Sequence, residues 1–134
     1  MKFIIPLYIK LSQNWKKYHL NFNKFRNRHY QVSNSIKKAV SNIVKEQLLL
    51  IEKNKISQLS KQSGIIIAYQ VYYPDLRKRD KGNIYSIVQK FFLDSLVENG
   101  VLIDDNDSII WDEIFKKPII DKNNGRVEIL INNK

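Results

Sequence analysis

Residues 64–105 read GIIIAYQVYYPDLRKRDKGNIYSIVQKFFLDSLVENGVLIDD, and this stretch decides the fold. Residues 64–73 are β-branched and aromatic, which predicts a buried strand that ends at Pro74. Apolar side chains then recur at helical spacing over about 83–98, and Gly100 ends this predicted helix. The stretch therefore predicts a strand and a helix that are joined by a short, strongly basic loop.

Two further elements are expected on the amino-terminal side. Residues 2–11 predict a first strand. Residues 36–51 carry apolar side chains at helical spacing, so they predict a first helix that weakens near Asn54 and resumes through Leu59. The residues able to cap the start of this helix are Ser33, Asn34 and Ser35.

The carboxyl-terminal part completes the expected fold. Residues 108–117 and 126–132 predict two strands, joined by a hairpin loop at 121–125. The order strand-helix-strand-helix-strand-strand predicts one α+β domain over residues 1–134, with a mixed sheet packed with two helices.

The charge of the chain is unevenly distributed. The net charge is +10, and residues 1–45 contain ten Lys or Arg but no Asp or Glu. Such asymmetry favours a polyanionic partner, either nucleic acid or an anionic membrane surface, over a merely solvated lysine face. The absence of cysteine excludes disulfides and thiolate metal sites. No membrane-spanning segment or signal peptide is recognisable, so we expect a cytoplasmic protein.

Basic and aromatic residues alternate over residues 12–31, where we expect a loop or an irregular hairpin. This pattern suits phosphate contacts combined with base stacking. The alternative is that the aromatic side chains anchor a long loop to the core. Together with the basic run before Asp80, the expected nucleic-acid-binding residues are Lys16, Lys17, Lys24, Arg26, Arg28, Arg77, Lys78 and Arg79.

Acidic residues flank the second predicted helix. Asp80 precedes it, and Asp104 and Asp105 follow it. Carboxylates among cations are typical of metal-dependent phosphodiester chemistry, in which the acids hold Mg²⁺ and the cations attract phosphate. Lys90, on the helix between them, could then stabilise the charge of the transition state. The alternative is that these side chains simply face solvent.

The same block resembles the RusA family of Holliday junction resolvases, which occurs in phages and prophages. The resemblance covers nearly the full chain. It rests on a Pro-Asp, a basic run, an acid-containing segment before a helix, a lysine in that helix, and Gly then Asp-Asp after it. In this sequence these are Pro74-Asp75, Arg77-Lys78-Arg79, Asp80-Lys81-Gly82-Asn83, Lys90, Asp94-Ser95-Leu96, Gly100 and Asp104-Asp105.

The resemblance implies a homodimeric endonuclease that acts in DNA recombination and repair by nicking four-way junctions symmetrically. It implies Mg²⁺ as the cofactor, with Mn²⁺ as an alternative. By the resemblance, Asp80 and Asp105 bind the metal, with Asp104 beside them, and Lys90 is the catalytic lysine. The expected catalytic residues are thus Asp80, Asp105 and Lys90.

The chain departs from the family pattern at two points. Gly82 stands where the family has a second metal-binding Asp. Lys90 lies four residues beyond the usual lysine position, which Ser86 occupies here. Two alternatives therefore accompany the nuclease hypothesis: a junction-binding protein of the same fold that does not cut, and a small basic nucleic-acid-binding protein without catalysis.

Overall fold

A computed structural model describes residues 1–11, 17–26, 30–61 and 64–134 of the protein. The side chains of Tyr30, Ser60 and Lys61 lie outside this description. In chain order, the elements are β1 (Lys2–Pro6), β2 (Tyr8–Lys10), β3 (Lys17–His19), α1 (Phe22–Arg26), α2 (Tyr30–Leu48), α3 (Lys53–Lys61), β4 (Ile65–Tyr73), α4 (Lys81–Glu98), β5 (Ile110–Phe115), β6 (Ile119–Ile120) and β7 (Arg126–Asn133).

The main sheet is mixed and is built around β4. Its strand order is β1-β7-β4-β5, and the short β6 also pairs with β4. β7 runs antiparallel to both β1 and β4, whereas β5 and β6 run parallel to β4. A parallel pair needs a crossover connection, and α4 provides it between β4 and β5. β2 and β3 form a separate antiparallel hairpin.

One face of the main sheet packs against the helices. Alternate residues of β4 are buried, as expected for a strand with one face in the core. The core side chains of the sheet cluster with those of α2 and α4. On the opposite face, Ile4, Ile114 and Leu130 are exposed. The molecule is therefore two-layered, with an open sheet face that is partly apolar.

α4 starts at the carboxyl end of β4 and ends near its amino end. The Tyr85 hydroxyl accepts a hydrogen bond from the Val71 N–H at 3.0 Å, in the second half of β4. Beyond the helix, Gly64 donates to the Ile109 carbonyl at 3.2 Å, and Ile110 pairs with Ile65. Gly100, with φ of 72°, provides the left-handed turn that ends α4.

The α+β class and the mixed sheet are confirmed, and α4 matches its predicted helix to within two residues at its start. The amino-terminal predictions differ in detail. α2 begins at Tyr30, so Ser33 lies inside the helix and none of the three proposed capping residues starts it. The resumed helix is α3, after a break at 49–52. The described ranges contain four helices, not two, because α1 forms inside the predicted loop.

The predicted hairpin between the last two strands is wrong. β4 lies between β7 on one side and β5 and β6 on the other. The loop at 121–125 instead crosses the carboxyl end of β4, where Asp121 donates to the Tyr73 carbonyl at 2.8 Å and Asn123 to the Pro74 carbonyl at 3.0 Å. A Cβ at Gly125 would lie 2.9 Å from the Pro74 ring, so only glycine fits this crossing without displacement.

Candidate nucleic-acid interface

The basic loop after β4 is organised by one carboxylate. Asp75 accepts hydrogen bonds from the Arg79 guanidinium at 2.7 Å and from the Arg77 backbone N–H at 3.0 Å. The Arg79 hydrogen bond, followed by the Arg77 N–H, lowers the pKa of Asp75 to about 2. The loop is thus closed by an ionised Asp75, while the Arg77 side chain remains 80% exposed and Lys78 is also exposed.

Arg79 has a different role from the other cations of the predicted interface. Its side chain is only 7% exposed, and its guanidinium lies 5.2 Å from the centre of the Tyr73 ring. The hydrogen bond to Asp75, and then one to Tyr8, raise the pKa of Arg79. Arg79 therefore ties the loop to the end of β4, whereas Arg77 and Lys78 are the cations of this loop that face solvent.

Asp80 caps α4. Its carboxylate accepts from the Gly82 N–H at 2.9 Å and from the Asn83 side-chain amide at 3.3 Å. Asp80 ends the basic loop that follows β4, so it lies at the same end of the sheet as Tyr73, whose pKa is raised mainly by burial. An acid at a helix start satisfies a free N–H and complements the helix dipole. Asp80 thus has a structural role whatever else it does.

Asp104 and Asp105 lie at the other end of α4. The 18 residues of this helix separate its two ends by about 27 Å at 1.5 Å per residue. Asp104 accepts from the Asp105 N–H at 2.8 Å and from the Asn106 side chain at 3.0 Å, and these bonds lower its pKa. One chain therefore does not bring Asp80 within metal-bridging distance of Asp105. Within the four described ranges, no three His, Cys, Asp or Glu side chains are grouped to hold a metal.

Lys90 is also remote from Asp80. Ten residues separate the two positions, or about 15 Å along the helix axis. The Lys90 ammonium instead lies 5.6 Å from the centre of the Phe25 ring, on α1. Ser86 is one turn closer to Asp80, and its hydroxyl donates to the Gly82 carbonyl. Lys90 is therefore exposed beside α1 and is not close to the carboxylates.

The described part of the predicted basic-aromatic loop supports both interpretations of that loop, namely phosphate contact and anchoring to the core. Lys17, Lys24 and Arg26 are exposed, as phosphate contacts require. Tyr18 is buried, however, and the Phe25 ring packs edge-on against Phe91 at 5.3 Å, so these two aromatics anchor the segment. Lys16 and Arg28, which the sequence also proposed, lie outside the described residues.

A groove between the β2–β3 hairpin and α2 was not predicted. Its volume is about 780 Å³. A polar stripe on α2 with spacings of four, three and four residues forms one wall, and that spacing was visible in the sequence. The stripe consists of Gln31, Ser35, Lys38 and Asn42. The other wall contains Tyr8 and Lys10.

No protein-family model matches this chain, and no curated protein sequence matches it either. The resemblance to RusA therefore remains a prediction from the motif. None of the described helices is both long and apolar enough to cross a membrane.

Proposed function

We propose that this protein binds four-way DNA junctions as a RusA-type protein. The observation that carries the proposal is the exposed cationic surface at the carboxyl end of β4. Arg77 and Lys78 are exposed there. Tyr8 of the β2–β3 hairpin contributes to the raised pKa of Arg79, and β3 of the same hairpin begins with the exposed Lys17. Elsewhere in the chain, residues 1–45 carry ten Lys or Arg and no Asp or Glu. Phosphate contacts of this kind supply most of the affinity for DNA.

The proposal for strand cutting requires two copies of the chain. In a single chain, Asp80 and Asp105 do not fit a Mg²⁺ site, since a cation of this size needs its oxygens within about 2.1 Å. The resemblance to RusA supports a homodimer, and a two-fold partner suits a symmetric junction. A second copy could supply Asp105 of the partner subunit to the end of the sheet where Asp80 lies.

The edges of the main sheet support this arrangement. The outer edge of β1 is covered, because the Gln47 side chain accepts from the Ile4 N–H at 2.8 Å and donates to the Ile4 carbonyl at 2.7 Å. Within the described part of the chain, no strand pairs with the outer edge of β5, which carries the exposed Trp111 and Ile114. Open apolar edges of this kind pair with other chains.

Antiparallel pairing of two β5 strands would reverse one copy relative to the other. The amino end of the partner's β5, which follows its Asp105, would then lie beside the carboxyl end of this chain's β5. That end is close to the start of α4, because the Tyr85 hydroxyl donates to the Lys116 carbonyl at 2.6 Å. The pairing would therefore place Asp80 of one chain and Asp105 of the other together at each end of the joined sheet.

The test of the proposed function compares a four-way junction with linear duplex of the same sequence by fluorescence anisotropy over a series of salt concentrations. We expect tighter binding to the junction, with an affinity that falls steeply with salt. Replacing both Arg77 and Lys78 by Ser removes two phosphate contacts, so the slope of log K against log salt should fall by about 1.8.

The matched control replaces Lys53 and Lys55 of α3 by Ser, which removes the same charge from another exposed site. Equal affinity for junction and duplex would refute the proposal and favour a small basic nucleic-acid-binding protein. Equal slopes for the two double variants would show that the loop after β4 does not contact DNA.

A further inference from the structure

The charged residues that line the groove between the β2–β3 hairpin and α2 are all positive. All the described residues that line it lie between Pro6 and Ile43, a segment without Asp or Glu. Its two charged lining residues, Lys10 and Lys38, are exposed and come from opposite walls. The positive potential of the groove is therefore not offset by a carboxylate of its own walls, which favours a polyanionic occupant.

The groove also offers surfaces for bases. The Tyr8 ring is half-exposed at one wall, and Ile9, Val32, Ala39 and Ile43 provide an apolar floor. Gln31 and Asn42 place side-chain amides on the facing helix, and amides carry both donors and acceptors for base edges. Cations that follow a backbone, combined with an aromatic face for stacking, are the features of single-strand binding sites.

Shape distinguishes a single strand from other polyanions. Duplex phosphates are usually contacted by surfaces that project into or across the DNA grooves, whereas a splayed base needs a concavity with an apolar floor. The volume of about 780 Å³ lies within the range of roughly 300–1,000 Å³ that is typical of ligand sites. An anionic membrane would contact a convex basic surface and would not use amides within a groove.

We infer that this groove binds a single nucleic-acid strand, with phosphates at Lys10 and Lys38 and a base against Tyr8. The inference goes beyond junction binding, since it assigns a different nucleic-acid form to a different surface. It is connected to the proposed interface, however, because Tyr8 also contributes to the raised pKa of Arg79. A nucleic-acid strand bound in the groove would therefore exit near the loop that carries Arg77.

The experiment measures the anisotropy of a labelled oligothymidine of about 15 nucleotides, near the upper site size of a single-strand module. Lys38→Ala should lower the slope of log K against log salt by about 0.7, the value for one phosphate contact on a single strand. Tyr8→Leu should weaken binding about 10-fold, within the range for loss of one stacked base. Tyr8→Phe keeps the ring and should bind nearly as well as the parent protein.

Lys55→Ala on α3 is the matched control, since it removes the same charge from an exposed site outside the groove. A lower salt slope for oligothymidine binding in Lys38→Ala but not in Lys55→Ala supports the inference, whether or not junction binding changes. Three results would overturn it. They are no binding of the oligothymidine, equal salt slopes for the two lysine variants, or a Lys38→Ala variant that loses binding to vesicles of anionic lipid but keeps the parent's binding of the oligothymidine. Junction binding is measured separately, so failure of the groove leaves the proposed function standing.

Discussion

At the scale of single residues, the backbone conformation at position 82 does not require glycine. Its φ is outside the left-handed range, which among the described residues is occupied by Gly64, Gly100 and Asn123. A Cβ at Gly82 would meet only the Asp80 carboxylate, at 3.1 Å, and a small rotation of that side chain would relieve the contact. The second residue of a helix also favours an acid, because of the helix dipole. A carboxylate is thus sterically and electrostatically acceptable at this position.

We therefore predict that Gly82→Asp folds normally and cuts four-way junctions at least 10-fold faster than the parent chain in Mg²⁺. The added carboxylate would supply the oxygen ligand that glycine lacks. Nicking of a labelled junction measures the rate, and Gly82→Asn is the control because it has nearly the same shape without the charge. Equal rates for the Asp and Asn variants would mean that the missing acid does not limit cutting.

At the scale of secondary-structure elements, one hydroxyl connects α4 to two parallel strands. The Tyr85 hydroxyl accepts from the Val71 N–H at 3.0 Å and donates to the Lys116 carbonyl at 2.6 Å. Tyr85 is buried, and burial raises its pKa. Its hydroxyl therefore helps to fix the end of α4 that carries Asp80 against the carboxyl ends of β4 and β5.

We predict that Tyr85→Phe lowers the free energy of unfolding by about 1–3 kcal/mol, because it leaves a buried N–H and a carbonyl without their shared partner. Urea unfolding measures the change. Tyr72→Phe is the control: its ring would still stack under Arg126, whose guanidinium lies 3.9 Å from the ring centre, and its effect should stay within about 0.5 kcal/mol. Similar losses in both variants would contradict a special role for Tyr85.

The same elements show how far the sequence predicts the structure. α4 and β4 were predictable because their apolar patterns and their stop residues agree. The order of the sheet was not predictable, because two strands that follow each other in sequence usually pair, and nothing local shows that β5 and β7 flank β4 instead. β3 and α1 were missed because elements of three and five residues carry too few side chains to show a period.

The candidate site was predictable in composition but not in geometry. The cations and acids around Asp80 are found where the sequence places them, at the end of a strand. The separation of Asp80 from Asp105 also follows from the sequence, since an intervening helix of this length spans about 27 Å. The burial of Arg79 could not be inferred, because a basic run after a strand is expected to face solvent, and only the folded loop shows that this guanidinium bonds to Asp75 and lies near the Tyr73 ring.

At the scale of the whole molecule, the acids can meet only between chains, and we predict that two copies pair antiparallel through β5. Cysteine introduced near the two-fold axis should then form a disulfide-linked dimer, because the paired Cα atoms would lie within about 7 Å. The chain has no cysteine of its own, so each variant is unambiguous. Asp112→Cys and Ile114→Cys test the two exposed positions on the open face of β5.

Leu50→Cys is the control for chance collisions, since this residue is 88% exposed in the turn between α2 and α3. Mild oxidation followed by non-reducing electrophoresis should show linked dimers for a β5 variant and none for Leu50→Cys. Absence of linkage at both β5 positions, or equal linkage at Leu50, would contradict the proposed pairing.

The same arrangement predicts complementation between two inactive variants in the Gly82→Asp background. If each site combines Asp80 of one chain with Asp105 of the other, Asp80→Asn and Asp105→Asn are each inactive alone. In a mixed dimer, however, one chain retains Asp80 and the other retains Asp105, so one of the two sites is intact. The mixture should therefore nick one strand of a junction without resolving it. If the mixture stays as inactive as its components while the Gly82→Asp parent cuts, the acids do not act between chains, and the antiparallel β5 pairing loses its functional argument.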